Sequence, residues 1–588
     1  MNKILALHVG HDATAMFINE KEFIAISEER VSRIKNYYGF PLQAIKKIFK
    51  EKKIKWSNIE KIIITSQSLK NSKSFKNFFF FNFISEDFSN KVSLFARLIF
   101  ILNLFFINKT FHQLLKEFLK KYNFKGKIQY LDHHLCHIAS SLATYPINNT
   151  MLLSLDGGGD NVNWSLYSYS NSVLKLLENS RSFYKNKRFS VHDTPADIYS
   201  NTTKFLGFKR LRDEGKVMGL SGGGKPRYYK YFSSLLKFED GRFISKFGPQ
   251  SRGLKDKLIF FFRFIFQGIN YDRLQIDDMK IHLKNYSSKE DVSASLQKFT
   301  EKLVNKLLDY LSKKYNFNNQ NLLLSGGFFS NVCANKRIKE RKDINNVFVV
   351  PNMGDGGLVL GGIYLALSKH QKKKFFANIQ GNAFFGNKAK NINTIPPHLK
   401  VLKLSQKKKC DYIVNGLINN KIIGVINEKM EFGPRALGNR SILANPAQKN
   451  ITNKLNKRLK RSDFMPFAPM IRDIDAKKIL KNYSKTDYSS KFMTITYEVK
   501  KEFKLKLRNI VHLDNTIRVQ VIDRINNKLC YDILTEFNKK TKLPCLINTS
   551  FNVHEEPIVM NIEDGIKALN NNVIDMIVNE NEIIIQNE

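Results

Sequence analysis

The residues of this sequence best suited to chemistry are two histidines and two aspartates. His133 and His137 stand four positions apart in LDHHLCHIASSLATY, so on a helix both imidazoles face one way and can share a metal ion. Asp156 in LSLDGGGD and Asp355 in NMGDGG each follow an apolar run, where a strand end projects a carboxylate into a crevice and glycines leave the backbone bare. Two imidazoles and two carboxylates form a mixed nitrogen and oxygen set that suits iron, manganese or zinc better than magnesium. The competing reading makes the histidines helix-surface residues and the aspartates turn caps; on spacing alone it carries the greater weight. Cys136 falls on a different helical face and reads as a packing residue.

Glycine turns recur after apolar strands. GHDA contains His11 and Asp12, DGGGD contains Gly157 and Gly158, and SGGFFSN contains Gly326, Gly327 and Asn331. Such loops can hold phosphates or ribose against bare N–H groups, although none is a P-loop and single glycine turns are usually only turns. DEGKVMGLSGGGKP adds Glu214 and Lys216 beside flexible backbone, as a site lid or a solvated loop. In the second half, EFGPRALGNRSILANP places Arg435, Asn439, Arg440 and Ser441 together, and LKRSDFMPFAP adds Lys460 and Arg461. Arginines among Gly, Asn and Ser offer forked donors to a planar anion. NTSFNVHEEP contributes Asn548, Ser550 and Asn552 after an apolar strand, neutral groups that can orient a small polar substrate.

The elements that must position these residues read as an α/β protein. KILALHVGHDATAMFI and KEFIAISEE predict paired strands, and MLLSLDGGGDNVNWSLYSYS repeats the pattern, which points to a duplicated architecture. LLLSGG predicts a strand leading to a helix at 329–340, and PNMGDGGLVLGGIYLAL a turn leading to a helix. The lysine-rich SKHQKKK near 369–375 reads as a linker, dividing the chain into domains at 1–372 and 373–588. A chain of 588 residues exceeds what one core serves, and with 43% apolar and 25% charged residues it is globular.

Lys plus Arg number 96 against 52 Asp plus Glu, a net +44 that attracts phosphate, nucleic acid or anionic lipid without choosing among them. Nucleic acid ranks low as a partner, because no zinc-finger spacing, RNP-like motif or basic arm accompanies the charge. Five dispersed cysteines and a start without signal-peptide character predict a cytoplasmic protein. FKNFFFFNF and LFARLIFILNLFFI within 75–107, and KLIFFFRFIF at 257–266, are too short or too interrupted by charge to span a membrane. They read as buried helices of insertions near 70–125 and 252–285, with peripheral contact at the inner face of the membrane as the second reading.

Taken together, GHDATA, ISEERVSRIKNYYGFP, DHHLCHIASS, SLDGGGDN, DEGKVMGLSGGGKP, SGGFFSN, PNMGDGGLVLGG, EFGPRALGNRSILANP, PFAP and NTSFN resemble, in order, the NodU/CmcH family of O-carbamoyltransferases, which is related to HypF. The resemblance implies an N-terminal duplicated actin-like ATPase (ASKHA) fold and a C-terminal YrdC-like α/β domain. It implies that carbamoyl phosphate and ATP with Mg(II) yield carbamoyl adenylate in the C-terminal domain. The N-terminal domain then carbamoylates a hydroxyl of a sugar or secondary metabolite, a small-molecule or glycan acceptor that a membrane-leaning protein could meet in lipid-linked form. His133, His137, Asp156 and Asp355 match the family's metal ligands, usually assigned to iron as Fe(II). His11 matches the position proposed to activate the acceptor hydroxyl, with Asp12 and Lys216 as its catalytic companions. Arg435, Arg440, Ser441, Lys460 and Arg461 fall where the adenylate-forming domain binds its anions.

The chain departs from the family pattern at Glu428-Lys429 for Gly-Arg, at Met465 for Arg, and at His554-Glu555 for Arg-Gly. Two further readings stay open: a threonylcarbamoyl-type transferase acting on tRNA, and a catalytically inactive membrane-associated binding protein.

Overall fold

The computed structural model describes residues 3–72, 110–145, 147–180, 194–247, 271–379, 381–389, 396–461 and 466–587. The apolar stretches within 75–107 and at 257–266, and Met465, lie outside the described residues.

Two sheets in the first part of the chain repeat one another strand for strand. In the first, Ile4–His8, Thr14–Ile18 and Phe23–Ser27 form an antiparallel meander, and Lys61–Ile64 then Lys127–Tyr130 add in parallel beside the first strand. In the second, Thr150–Gly159, Val162–Ser170 and Val173–Asn179 form the meander, and Gln320–Ser325 then Ile344–Val349 add in parallel. This is the duplicated α/β architecture of the actin-like ATPase fold. Strand alternation explains the layers: Ala6, Met16 and Ile63 face a central core, while Leu5, Leu7, Phe17, Ile62 and Ile64 face an outer one.

Two helices, His133–Thr144 and Leu358–Ala366, contribute Ile138, Leu142, Val359, Leu360 and Ile363 to the central core. A helix apolar or small on every side belongs in an interior. The hydroxyls of Ser140, Ser141 and Thr144 are satisfied by carbonyls of the preceding turn, so they enter it without orphaned donors.

The last part of the chain builds an eight-stranded mixed sheet with its own core, centred on Ile423–Ile426, Arg440–Ala444 and Cys545–Ser550. Residues 369–379 correct the linker expectation. They form a helix whose Phe375 and Ile379, one turn apart, are buried in the central core, while Lys369 and Lys373 are exposed. Lysine content marked the solvated side of a helix here, not a flexible connection. Among the described residues no helix is long and apolar enough to cross a membrane.

Candidate functional site

The metal candidates come together. His133 opens its helix directly after the N-cap Asp132, whose side chain accepts from Leu135 N, and His137 follows one turn later. Asp156 lies where the ladder of Thr150–Gly159 with its neighbour slips, and Asp355 begins the short turn that leads into Leu358–Ala366. One ligand atom from each of the four lies within 4.8 Å of the others. His137 Nε2 is 2.9 Å from Asp156 Oδ2 and 3.5 Å from Asp355 Oδ1; His133 Nε2 is 3.7 Å and 3.6 Å from the same two carboxylates.

His137 Nε2 and Asp156 Oδ2 are hydrogen-bonded at 2.9 Å, but the other three separations are too long for hydrogen bonds of good geometry and lie near the roughly 3.0–3.5 Å between two ligands each about 2.1 Å from one ion. His133 Nε2 is buried with no hydrogen-bond partner while aimed at the carboxylates, which is what a metal-facing nitrogen leaves behind. The residues therefore fit a divalent ion. Burial alone would lower the His133 pKa, but Asp355 and Asp156 outweigh it and raise it to about 9. The same field, chiefly from Asp12 and then Asp355, overcomes burial and raises His11 to about 9. Neutralising Asp355 with a bound cation removes part of that field.

Two residues that sequence reading passed over hold this centre. Asp160 accepts from Ser66 Oγ, Gln67 N, Ser68 N and His133 N at 2.7–2.9 Å, tying the first helical residue to the loop after Lys61–Ile64. It is the last residue of the DGGGD turn, so the signal was present and was read only as a glycine loop. His8 is buried with Nε2 3.0 Å from the His11 carbonyl and 3.6 Å from Asp355, and burial lowers its pKa to about 4. Gly159 leaves room for the His133 ring, which a β-carbon there would overlap.

The other N-terminal candidates divide. His11 Nδ1 is 3.0 Å from Asp12 Oδ2, and Asp12 adopts φ 57° to reach it. Lys216 turns to Asp213 at 3.0 Å and to His554 Nε2 at 3.3 Å, on the side of the C-terminal region. Gly157 N donates to Asp156 Oδ1, Gly158 and Gly326 hold φ of 147° and 103°, and Gly327 lies beside Asp156, so both glycine turns border the metal centre. Asn331 has its amide engaged with Gln297 while capping the helix Val332–Lys339.

In the C-terminal region the arginines do not act as a single group. Arg440 is fully buried and donates to the carbonyls of Met560, Asn427, Asn439, Asn387 and Glu428, so its guanidinium holds main chain and is not turned to an anion. Ser441 Oγ accepts from Gly438 N, Asn439 Nδ2 donates to Lys429 O, Asn548 Nδ2 donates to Ala436 O and Gln520, and Asn552 Nδ2 donates to Val553 O and Glu556 O. These four brace the loop. Lys460 is exposed at φ 52°, and Ser550 ends its strand half-buried. Glu431 Oε1 accepts from the N–H groups of Leu437, Asn439 and Arg440, a buried carboxylate that shapes the ALGNRS turn.

Arg435 and Arg461 instead meet Arg518, which the motif reading missed because it stands outside any Gly-rich segment. Burial, and then Arg518, hold Arg435 well below the usual guanidinium range and push Arg461 down to about 10. Arg435 Nε and Arg518 Nε are buried without partners, while Arg461 donates to Thr549 Oγ1 and stacks on Phe467. None of the three is ion-paired among the described residues. Buried guanidiniums without a carboxylate partner have the donors to bind an anion. The loop before Arg435 rests on the metal lobe: Gly433 packs on Pro351 and Asn352, and its carbonyl accepts from Arg30 Nη2 at 3.1 Å.

Comparison with known proteins decides the family. Residues 3–363 match the family described as Carbamoyltransferase N-terminus, and residues 414–586 match Carbamoyltransferase C-terminus. The chain belongs to the carbamoyltransferase family. It is 30% identical over 587 residues to an uncharacterized protein of Methanocaldococcus jannaschii, covering 96% of each. It is 28% identical over 450 residues to the nodulation protein NolO of Bradyrhizobium diazoefficiens, covering 74% of this chain and 75% of that one. Among solved structures, phosphate- and nucleotide-bound full-length HypF aligns over 64% of this chain and 47% of its own, at 13% identity and a TM-score of 0.31.

Proposed function

We propose that the protein is an O-carbamoyltransferase that uses carbamoyl phosphate and Mg(II)-bound ATP, through carbamoyl adenylate, to carbamoylate a hydroxyl of a sugar or secondary metabolite. The observation that carries this reading is that Arg435 Nε and Arg518 Nε are buried without a hydrogen-bond partner and that neither these arginines nor Arg461 has an ion pair among the described residues, in a region that packs on the loop bearing Asp355. Phosphate and carboxylate oxygens are the groups that relieve such a cluster.

In the first step carbamoyl phosphate gives up phosphate to water, and the resulting carbamate oxygen displaces pyrophosphate from ATP. The guanidiniums neutralise the charge brought together as these anions meet. In the second, an acceptor hydroxyl attacks the carbamoyl carbon, its proton passes to a base, and AMP leaves. We assign His11 that base role, with Asp12 on Nδ1; because Asp12 and then Asp355 raise its pKa to about 9, it is a free base only at alkaline pH or where a bound cation offsets those carboxylates. A divalent ion held by His133, His137, Asp156 and Asp355 would supply a Lewis acid for the carbonyl oxygen.

The test is release of pyrophosphate and AMP from ATP by protein purified without chelator. Pyrophosphate release that requires carbamoyl phosphate, with AMP release rising when a hydroxyl acceptor is added, is the expected result. No release from metal-replete protein, or release indifferent to carbamoyl phosphate, overturns the proposal.

A further inference from the structure

A groove of about 1190 Å³ runs along the outermost strand of the first sheet, Lys127–Tyr130. Five lysines line it, Lys70, Lys116, Lys120, Lys125 and Lys127, and among the described residues no lining residue is acidic. None of the five is ion-paired among the described residues, while some lysines elsewhere are, as in Lys47 with Glu51, Lys246 with Asp278 and Lys314 with Glu178. The arrangement is built by secondary structure as well as by composition. On the helix Phe111–Lys120, residues His112, Lys116 and Lys120 follow at intervals of four and face the groove, while Phe111 and Leu115 are buried beneath. Burial, and then Lys116 and Lys70, lower the His112 pKa, the mark of a positive local potential.

The second observation is where the chain leaves. The two walls, the turn Ser68–Asn71 and the helix Phe111–Lys120, are joined where Phe111 N donates to Ser72 O at 2.8 Å. Between these points the sequence runs through FKNFFFFNF and LFARLIFILNLFFI, the longest aromatic and aliphatic stretch in the protein. A lysine-lined face complements an anionic lipid surface, where phosphates pair with ammonium groups, and a Phe-rich sequence joins its two walls.

We propose that this groove is a docking face for anionic membrane, its lysines taking the phosphates of lipid headgroups. Tyr130 lines the groove and His133 follows three residues later, so docking here brings the metal lobe to the lipid surface.

The experiment is flotation of the full chain with phosphatidylcholine vesicles, with and without about 30% phosphatidylglycerol. The protein is expected to float with the anionic vesicles, to remain at the bottom with neutral ones, and to be released by salt. Charge reversal in the groove (Lys116→Glu, Lys120→Glu, Lys127→Glu) is expected to lower the bound fraction by about tenfold or more. The same change of charge at the exposed Lys477, Lys478 and Lys542 (each →Glu) should leave it nearly unaltered, with thermal melts checking that both variants fold. Wild type that ignores anionic vesicles, a groove variant that floats like wild type, or a control that loses as much as the groove variant overturns the proposal. Groove-dependent capture of an RNA oligonucleotide by protein that ignores the vesicles overturns it in favour of nucleic acid.

Discussion

Gly361 lies so close beneath Cys136 that a β-carbon on it would overlap the Cys136 carbonyl oxygen. The two residues belong to the helices that present His133 and His137 on one side and Asp355 on the other. A glycine contact in the helical turn that carries His133 and His137 therefore fixes how closely the two helices approach. Gly361→Ala should force the helices apart, costing about 1–3 kcal/mol of stability and lowering bound metal. Urea denaturation and metal analysis of the same preparation check both, and a variant with unchanged metal content would break the connection.

Removing the metal should separate the two half-reactions. Chelator-treated protein, and His137→Ala, are expected to retain carbamoyl-phosphate-dependent pyrophosphate release while losing transfer to the acceptor, because the arginine trio shares no ligand with the His and Asp centre. Loss of both together would mean that the centre serves adenylation as well.

Arg518→Ala should raise the KM for carbamoyl phosphate or ATP by roughly 10–100-fold, the value of one or two charge-assisted hydrogen bonds at about 1.5–3 kcal/mol. Metal content should stay at the wild-type level. Steady-state kinetics with each substrate varied in turn is the measurement, and a wild-type KM would remove Arg518 from the anion site.

Arg440→Ala should behave differently from Arg518→Ala. It strips hydrogen bonds from several buried carbonyls and is expected to cost at least about 3 kcal/mol of stability. Chemical denaturation distinguishes the two arginines, which a sequence motif presents as equivalents.

Asp160 carries a pH signature. Burial alone would raise its pKa, but hydrogen bonds from Ser66, Ser68 and Gln67 hold it below the usual carboxylate range. A depressed folded-state pKa contributes stability above the unfolded value of about 3.9 and loses it as pH falls through the folded one. The stability gap between wild type and Asp160→Asn should therefore be full near neutrality and shrink below about pH 4. A gap independent of pH would show that the charge of Asp160 does not matter.

The metal set was legible because its signals are local. Four positions between His133 and His137 mean one helical face wherever the helix lies, and an aspartate after an apolar strand marks a strand end in any α/β protein. The arginines were legible only as a motif. EFGPRALGNRSILANP places Arg435 and Arg440 five residues apart, and nothing in that spacing says that one guanidinium keeps a buried Nε without a partner while the other is enclosed by carbonyls. The lysine run near 369–375 failed for a related reason, since a charged helix face and a solvated linker have the same composition and only the buried Phe375 and Ile379 tell them apart.

The sequence by itself determined the duplicated strand pattern, the four metal candidates and the family, because each rests on residues near one another along the chain. Tertiary structure alone decided that Arg518 joins Arg435 and Arg461, that Asp160 steadies His133, and that five lysines from three segments line one groove. Those partners are separated by tens of residues, and what unites them is a shared electrostatic field or a shared hydrogen bond. Such forces act through space, so chain order carries no record of them.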